Sequence, residues 1–125
     1  MERKDILLVE DDDMMAALLG HWLEKEGYAV TTLKNGLQVK EALCESLPDL
    51  IISDIMMPYY SGIELVDHIR NELKLELPVI LISAASNDEN VMNAFELGAN
   101  DFISKPISPH ELLVRVARTL KTMKA

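Results

Sequence analysis

Side chains that bind metal ions or phosphoryl groups stand directly after several short apolar runs of the sequence. Glu10, Asp11 and two further aspartates follow the first run, Asp54 follows another, Ser83 a third and Lys105 the last. Carboxylates about 4 Å apart repel by about 4 kcal/mol at an effective dielectric near 20, so converging carboxylates raise one another's pKa or bind a cation. Carboxylate oxygens suit Mg²⁺, and a cation beside a lysine and a hydroxyl binds a phosphoryl group. These residue types predict a Mg²⁺-dependent phosphoryl site, provided that the fold brings them together.

Two periodicities alternate along the chain and indicate the elements that position these side chains. Short apolar runs at 6–9, 50–52 and 79–82 are typical of parallel strands covered on both faces. The runs at 28–33 and 101–104 alternate more with polar residues, so they are expected nearer the edges of the sheet.

Apolar residues at helical spacing mark five helices between or after the strands. The sets are Met14, Met15, Leu18, Leu19, Trp22 and Leu23; Val39, Ala42, Leu43 and Leu47; Ile63, Leu65, Val66 and Ile69; Val91, Met92, Phe95 and Leu97; and Leu112, Leu113, Val116 and Leu120. Each set is expected to face the core, and so are most of the methionines. Gly27, Pro48 and Gly98 end three of the helices, and Ser108-Pro109 begin the fifth.

Five repeats of strand and helix predict an α/β fold, a three-layer sandwich with right-handed crossovers. The length of 125 residues fits a single domain spanning 1–125. Ligands of such folds bind at the carboxyl ends of the strands. The residues that follow the apolar runs are therefore expected to meet at one edge of the sheet.

Composition excludes several classes of function. Twelve basic and 21 acidic residues give a formal charge of −9, which argues against direct nucleic-acid binding. A single cysteine, Cys44, excludes an internal disulfide and fits a reducing compartment. No apolar run approaches the ~20 residues of a membrane helix, and the first five residues do not begin a signal peptide. The expectation is a cytoplasmic domain with no membrane contact.

Some of the polar residues have a simpler interpretation than a site. Asp12 and Asp13 are interpreted as capping residues of the first helix, whereas Glu10 and Asp11 stand directly at the strand end. Tyr59 and Tyr60 are expected in a loop above the site. Contact with a partner protein is one alternative to a place in the core for these two residues.

Four segments carry a resemblance to a known family. They are Ile-Leu-Leu-Val-Glu-Asp-Asp at 6–12, Asp-Ile-Met-Met-Pro at 54–58 with Ser61-Gly62 after it, Ile-Ser-Ala at 82–84, and Gly-Ala-Asn-Asp-Phe-Ile-Ser-Lys-Pro at 98–106. Together they resemble the receiver domain of two-component response regulators, the CheY-like proteins, over essentially the whole chain. The resemblance implies a flavodoxin-like (βα)5 fold with a five-stranded parallel sheet of order 2-1-3-4-5.

The resemblance also implies roles for the matching residues. Asp54 is expected to be the phosphoacceptor, and Ser83 is expected to hold a phosphoryl oxygen. Lys105 is expected to pair first with Asp54 and then with the phosphoryl group. Phe102 matches an aromatic switch residue that turns inward on activation, and the Lys105-Pro106 peptide bond is expected to be cis.

The same resemblance implies a metal site. Asp11 and Asp54, with Glu10 often acting through water and the Met56 backbone carbonyl, are expected to bind Mg²⁺ or Mn²⁺. Met56 and Ala85 occupy positions that tune dephosphorylation in this family. Neither side chain can orient a water molecule, so a long-lived phosphoryl state is expected.

The function implied is a phosphorylation-activated switch, regulatory rather than enzymatic. A histidine kinase or phosphotransfer protein is the expected donor. The fourth helix, fifth strand and fifth helix form the face expected to control an output domain or protein, or to support a phosphorylation-dependent homodimer.

Three alternatives stay open at this point. A receiver-like scaffold independent of phosphorylation is one. A Mg²⁺-dependent aspartyl phosphatase is another, although Met56 stands where its second carboxylate would be. A flavodoxin is the third, although four carboxylates at 10–13 replace its phosphate-binding loop.

Overall fold

The computed structural model describes residues 3–56, 61–84 and 88–122, with the backbone alone at 88–91 and 122. Strands and helices alternate along the described residues as β1 (Asp5–Val9), α1 (Asp13–Lys25), β2 (Ala29–Leu33), α2 (Gly36–Glu45), β3 (Leu50–Asp54), α3 (Gly62–Asp67), β4 (Val79–Ser83), α4 (Asp88–Glu96), β5 (Asp101–Ser104) and α5 (Pro109–Thr122). A π-helical turn, His68–Glu72, continues α3. None of the helices in these ranges has the length and apolar character needed to cross a membrane.

The strands form one parallel sheet of order β2-β1-β3-β4-β5, which confirms the predicted fold class. The two strands with more polar alternation, β2 and β5, are the edges. In the interior, Val9 pairs with Ser53, and Asp54 pairs with Ile82. The carboxyl ends of β1, β3 and β4 therefore lie side by side, so residues that follow these strands share one edge.

The core consists of two apolar layers, one on each face of the sheet. Alternate strand residues contribute to opposite layers: Leu7 and Ile51 lie in one, Leu8 and Ile52 in the other. All four side chains are buried, and full burial of such a side chain contributes about 1.5–3 kcal/mol. The sheet is thereby fixed as a rigid support for the residues at its edge.

The helix ends are set by local side chains. Asp12 Oδ1 accepts hydrogen bonds from the backbone N–H groups of Met14 (2.9 Å) and Met15 (3.2 Å), so Asp12 caps α1. Gly27 has a φ of +97°, a conformation that favours glycine after a helix. Ser108 Oγ accepts a hydrogen bond from the N–H of Glu111 at the start of α5.

The predicted orientation of several apolar helix residues is wrong. Met14 is 84% exposed, and Leu18 on α1 and Met92 and Phe95 on α4 are exposed as well, as is the side chain of Met56. The apolar stripe of α1 is wider than the row that touches the sheet. The residues of α1 that are buried are Ala16, Leu19, Gly20 and Leu23.

Two helices end before the predicted residues. Helix α2 ends at Glu45 rather than at Pro48, because proline disfavours helical backbone at the residue before it. Leu47 is consequently exposed outside the helix. Helix α3 ends at Asp67, and Ile69 stays fully buried in the π-helical turn that follows.

Candidate functional site

The first part of the site is the segment that leaves β1. The N–H of Glu10 donates a 2.9 Å hydrogen bond to the Leu33 carbonyl of β2. This bond extends the pairing of the two strands by one residue beyond Val9. The Glu10 residue is only 3% exposed, whereas Asp11 is exposed. The cap on α1 then turns the chain away from the sheet at Asp12. One buried and one exposed carboxylate therefore stand at the end of β1.

Asp54, the last residue of β3, lies beside them and is buried. Its Oδ2 accepts a 2.6 Å hydrogen bond from the Lys105 ammonium, and its Oδ1 accepts a 3.0 Å hydrogen bond from the Met56 N–H. Lys105 Nζ also lies 3.5 Å from Glu10 Oε1. Both oxygens of Asp54 are thus oriented by donors from two different segments.

The acidic residues fit a divalent cation. Carboxylate oxygens of Glu10, Asp11 and Asp54 lie within 4.8 Å of one another. Neither carboxylate oxygen of Glu10 has a hydrogen-bond partner among the described residues, although both are buried. A buried carboxylate without hydrogen bonds is costly, and a hard cation with oxygen ligands would satisfy it.

The electrostatics of the site follow from this crowding. Burial raises the pKa of Glu10 from 4.5 to about 7; the Asp54 charge adds to the rise and Lys105 opposes it. Partial burial acts to lower the pKa of Lys105, but Asp54 and Glu10 outweigh it and the pKa is raised above 10.5. Lys105 therefore stays charged at neutral pH, whereas the ionisation of Glu10 changes near neutral pH.

The remaining predicted residues lie at or near the same edge. Ser83 is buried at the end of β4, and its carbonyl accepts a hydrogen bond from the Lys105 N–H (2.9 Å). The Lys105-Pro106 peptide bond is cis. Phe102 is 7% exposed and packs in the apolar layer that includes Leu81, so it is inward while Lys105 contacts Asp54 directly.

Two residues that support Asp54 were given no role by the sequence. Ser53, fully buried, donates its hydroxyl to the Asp54 carbonyl at 3.0 Å. The N–H of Gly62 donates to the Ile55 carbonyl at 3.0 Å and brings the start of α3 against the end of β3. The one signal for Ser53 is a small polar residue in an otherwise apolar run.

The remaining sequence interpretations concern residues that do not belong to the acidic cluster. Cys44 is exposed on α2. Asp13 is also exposed, and its carboxylate pairs with Lys34 at 2.9 Å, as a helix-end charge rather than a member of the acidic cluster. Tyr59 and its neighbour Tyr60, like Ala85, lie outside the described residues.

A buried carboxylate that is held by a lysine, within a group of carboxylates that fits a cation, can act as a nucleophile toward a phosphoryl group. The comparison with protein families agrees with this chemistry, because residues 6–117 match the response regulator receiver domain. The chain belongs to this family. It is therefore a receiver domain of the response regulators that act in two-component systems, a regulatory class.

Curated relatives of this receiver domain are transcriptional regulators. It is 37% identical over 119 residues to the transcriptional regulatory protein GltR of Pseudomonas aeruginosa, covering 94% of this chain and 49% of the relative. It is 36% identical over 122 residues to the phosphate regulon regulator PhoB of the same organism, covering 97% and 53%. The chain thus spans about half the length of these relatives.

Solved structures support the same assignment. The signal receiver domain of a histidine kinase from Syntrophus aciditrophicus is 37% identical, with a TM-score of 0.87 and coverage of 97% of this chain and 92% of that one. The receiver domain of a putative Luxo repressor from Vibrio parahaemolyticus is 32% identical, with a TM-score of 0.92 and coverage of 98% and 94%. Receivers of this kind thus occur in kinases as well as in regulators.

Proposed function

We propose that this receiver domain accepts a phosphoryl group on Asp54 from a histidine kinase or phosphotransfer protein, in a Mg²⁺-dependent reaction. The observation that carries the proposal is Asp54 itself: a buried carboxylate, held by Lys105 at 2.6 Å, within a cluster of three carboxylates that suits a cation. The domain would catalyse only its own phosphorylation and dephosphorylation.

The reaction is a displacement at phosphorus. A carboxylate oxygen of Asp54 forms a bond to phosphorus, the bond to the donor histidine nitrogen breaks, and its electron pair returns to the imidazole. Lys105 offsets charge on the phosphoryl oxygens, so catalysis consists of positioning and electrostatics. Mg²⁺, bound by Asp11, Asp54 and the Met56 carbonyl with Glu10 near it, would supply further positive charge; Mn²⁺ would substitute for it.

The product gives the site new ligands. Lys105 can leave the carboxylate for a phosphoryl oxygen, and the Ser83 hydroxyl can bind another. Charge-assisted hydrogen bonds contribute about 1.5–3 kcal/mol each, and about 5.5 kcal/mol moves a two-state element from 1:99 to 99:1. Two such bonds approach this requirement, so the product can change the conformation of the segments after β4 and β5.

The face that would respond is formed by α4, β5 and α5, called here the output face. Exposed apolar side chains on it include Met92, Phe95 and Val114. Asp101 of β5 accepts a 2.6 Å hydrogen bond from Arg115 of α5 and pairs with Arg118 at 3.4 Å, so these two elements are expected to move together. We propose that this face contacts an output domain or protein, or a second copy of the chain, in the cytoplasm and without direct nucleic-acid contact.

The match to the receiver family removes the flavodoxin alternative, and the two remaining alternatives make different predictions. A phosphorylation-independent scaffold would retain partner binding without Asp54. An aspartyl phosphatase would need a second carboxylate two residues after the nucleophile, and Met56 stands there with its exposed, apolar side chain.

Intact-mass spectrometry tests the proposal. Wild type and Asp54→Ala are incubated with a small-molecule phosphodonor, with MgCl₂ or with EDTA. A Mg²⁺-dependent gain of one phosphoryl group in wild type alone is the expected result. No gain in wild type would overturn the phosphoacceptor assignment and favour a scaffold, to be tested next by partner binding.

A further inference from the structure

The start of α3 lies directly against the backbone of the acceptor residue. A Cβ atom added at Gly62 would stand 2.7 Å from the Asp54 carbonyl oxygen, 3.0 Å from Ile55 Cα and 3.2 Å from Leu81 Cδ2. Gly62 does not have a positive φ, so its conformation is open to any L-residue. The requirement for glycine here is therefore steric, and two of the three atoms concerned belong to backbone that cannot rotate aside.

The contact is fixed from both sides. Ser61 caps α3 through a capping box, in which its Oγ accepts the Glu64 N–H and the Glu64 carboxylate accepts the Ser61 N–H. The Gly62 N–H is bonded to the Ile55 carbonyl. On the strand side, the Ile55 N–H donates to the Ile82 carbonyl at 2.9 Å. Helix and strand cannot separate at this point without loss of hydrogen bonds.

The Asp54 carbonyl is coupled to the reactive carboxylate through one short segment. Two residues after Asp54, the Met56 N–H donates to Asp54 Oδ1. A rotation of the Asp54 peptide group would therefore displace the donor that orients the nucleophile. It would also displace the Met56 carbonyl, the backbone group assigned to the cation under the proposed function.

We propose that Gly62 is a positioning residue for the phosphoacceptor: its lack of a side chain lets α3 seat the Asp54 peptide so that the Met56 N–H holds Oδ1. The rate measurements that test this inference rest on the proposed function. The structural part of the inference rests on the backbone geometry alone.

The test compares two glycine-to-alanine substitutions in otherwise intact protein. Gly62→Ala adds the crowding methyl group, whereas Gly20→Ala is the matched control, since a Cβ at that buried helical glycine meets nothing within 4 Å. The rate constant of Mg²⁺-dependent phosphorylation at saturating phosphodonor is expected to fall about ten-fold in Gly62→Ala and to be unchanged in Gly20→Ala. A misplacement of about 1 Å can cost about 10²-fold, and the displacement here is smaller.

Two further readouts separate positioning from instability. Reversible unfolding lowers the observed rate constant only in proportion to the folded fraction, so a rate constant in Gly62→Ala that equals the wild-type value multiplied by that fraction would overturn the proposal. The double variant Gly62→Ala/Leu81→Val removes the side-chain contact and leaves the carbonyl contact. It should stay slow, and recovery of the wild-type rate would overturn the role of the Asp54 carbonyl.

A measurement without a phosphodonor keeps the inference independent of the proposed function. In ¹⁵N-labelled protein, the Met56 amide resonance should shift in Gly62→Ala and stay in place in Gly20→Ala, with or without MgCl₂. If wild type gains no phosphoryl group, the proposed function fails, and the shift of the Met56 amide resonance still tests whether Gly62 positions this segment. An unmoved Met56 resonance overturns the positioning role.

Discussion

The carboxyl group of Glu10 is buried and has no hydrogen-bond partner among the described residues. Its burial and the nearby Asp54 carboxylate both oppose its ionisation. In the unfolded chain the pKa is near 4.5, and in the metal-free folded protein it is about 7. Between these values the folded protein binds the additional proton. The free energy of unfolding therefore falls as pH rises through this window.

Glu10→Gln should remove that decline. In EDTA, the stability of wild type is expected to fall between pH 4.5 and pH 7 relative to the variant, by an amount on the order of 2 kcal/mol. Urea unfolding at pH 5 and pH 8 measures it. Asp13→Asn, at an exposed carboxyl, is the control and should keep the wild-type pH dependence. Equal pH slopes for wild type and Glu10→Gln would contradict the prediction.

If Asp54 is phosphorylated as proposed, the groups next to it are expected to set the lifetime of the phosphoryl group. The Met56 side chain is 71% exposed beside the acceptor and offers no group that could orient a water molecule for attack. We expect slow hydrolysis of phosphorylated wild type and a several-fold faster loss in Met56→Asn, because an amide can hold the attacking water. Decay of the mass-shifted species after donor removal is the measurement. A rapid loss in wild type would show the prediction to be wrong.

At the scale of elements, Arg70 joins its own turn and the nearby Leu75 to the segment 98–100, which lies 28 to 30 residues further along the chain. From the π-helical turn, its guanidinium donates to the Gly98 carbonyl (3.1 Å), the Leu75 carbonyl (3.0 Å) and Asn100 Oδ1 (2.9 Å). Burial lowers the pKa of Arg70, opposed by the charge of Glu76. The fork of donors thus holds the turn between α4 and β5 against the end of α3.

Removing that fork should destabilise the domain. Arg70→Met is expected to lose about 3 kcal/mol of unfolding free energy, since hydrogen bonds to charged groups contribute about 1.5–3 kcal/mol each and two carbonyls lose a donor. Arg70→Lys keeps the charge but cannot reproduce the planar fork, so it should recover less than half of the loss. Urea unfolding provides both values, with the exposed Arg3→Met as control. Full recovery by lysine would mean that charge alone matters.

The elements differ in how far the sequence predicts them. The strands are located to within two residues by their apolar runs, because a strand buried on both faces has no polar alternation. The helix faces are less well predicted: Met14 and Leu18 belong to an apolar stripe wider than the sheet can cover. The contacts of Arg70 and Gly62 leave no local signal, since their partners lie on other elements of the fold.

At the scale of the whole molecule, the candidate site is predictable because of topology. In a parallel sheet every strand ends at the same edge as its neighbours, so a polar residue after each apolar run predicts a cluster without knowledge of any contact. Glu10, Asp54 and Lys105 meet in this way. The raised pKa of Glu10 and the lack of hydrogen bonds to its carboxylate oxygens depend on packing, and no sequence pattern indicates them.

The route from the site to the output face can be followed with the two phenylalanines of the chain. Phe95 on α4 is 45% exposed, and Phe102 on β5 is 7% exposed. Because Phe102 already lies inward in this structure, we expect no further inward rotation of its ring on phosphorylation. We expect phosphorylation to shift the ¹⁹F resonance of fluorophenylalanine at position 95 and to leave the solvent exposure at position 102 unchanged, with Phe95→Leu and Phe102→Leu assigning the two signals. A change of exposure at position 102 alone would mean that the aromatic on β5, and not α4, transmits the phosphoryl state.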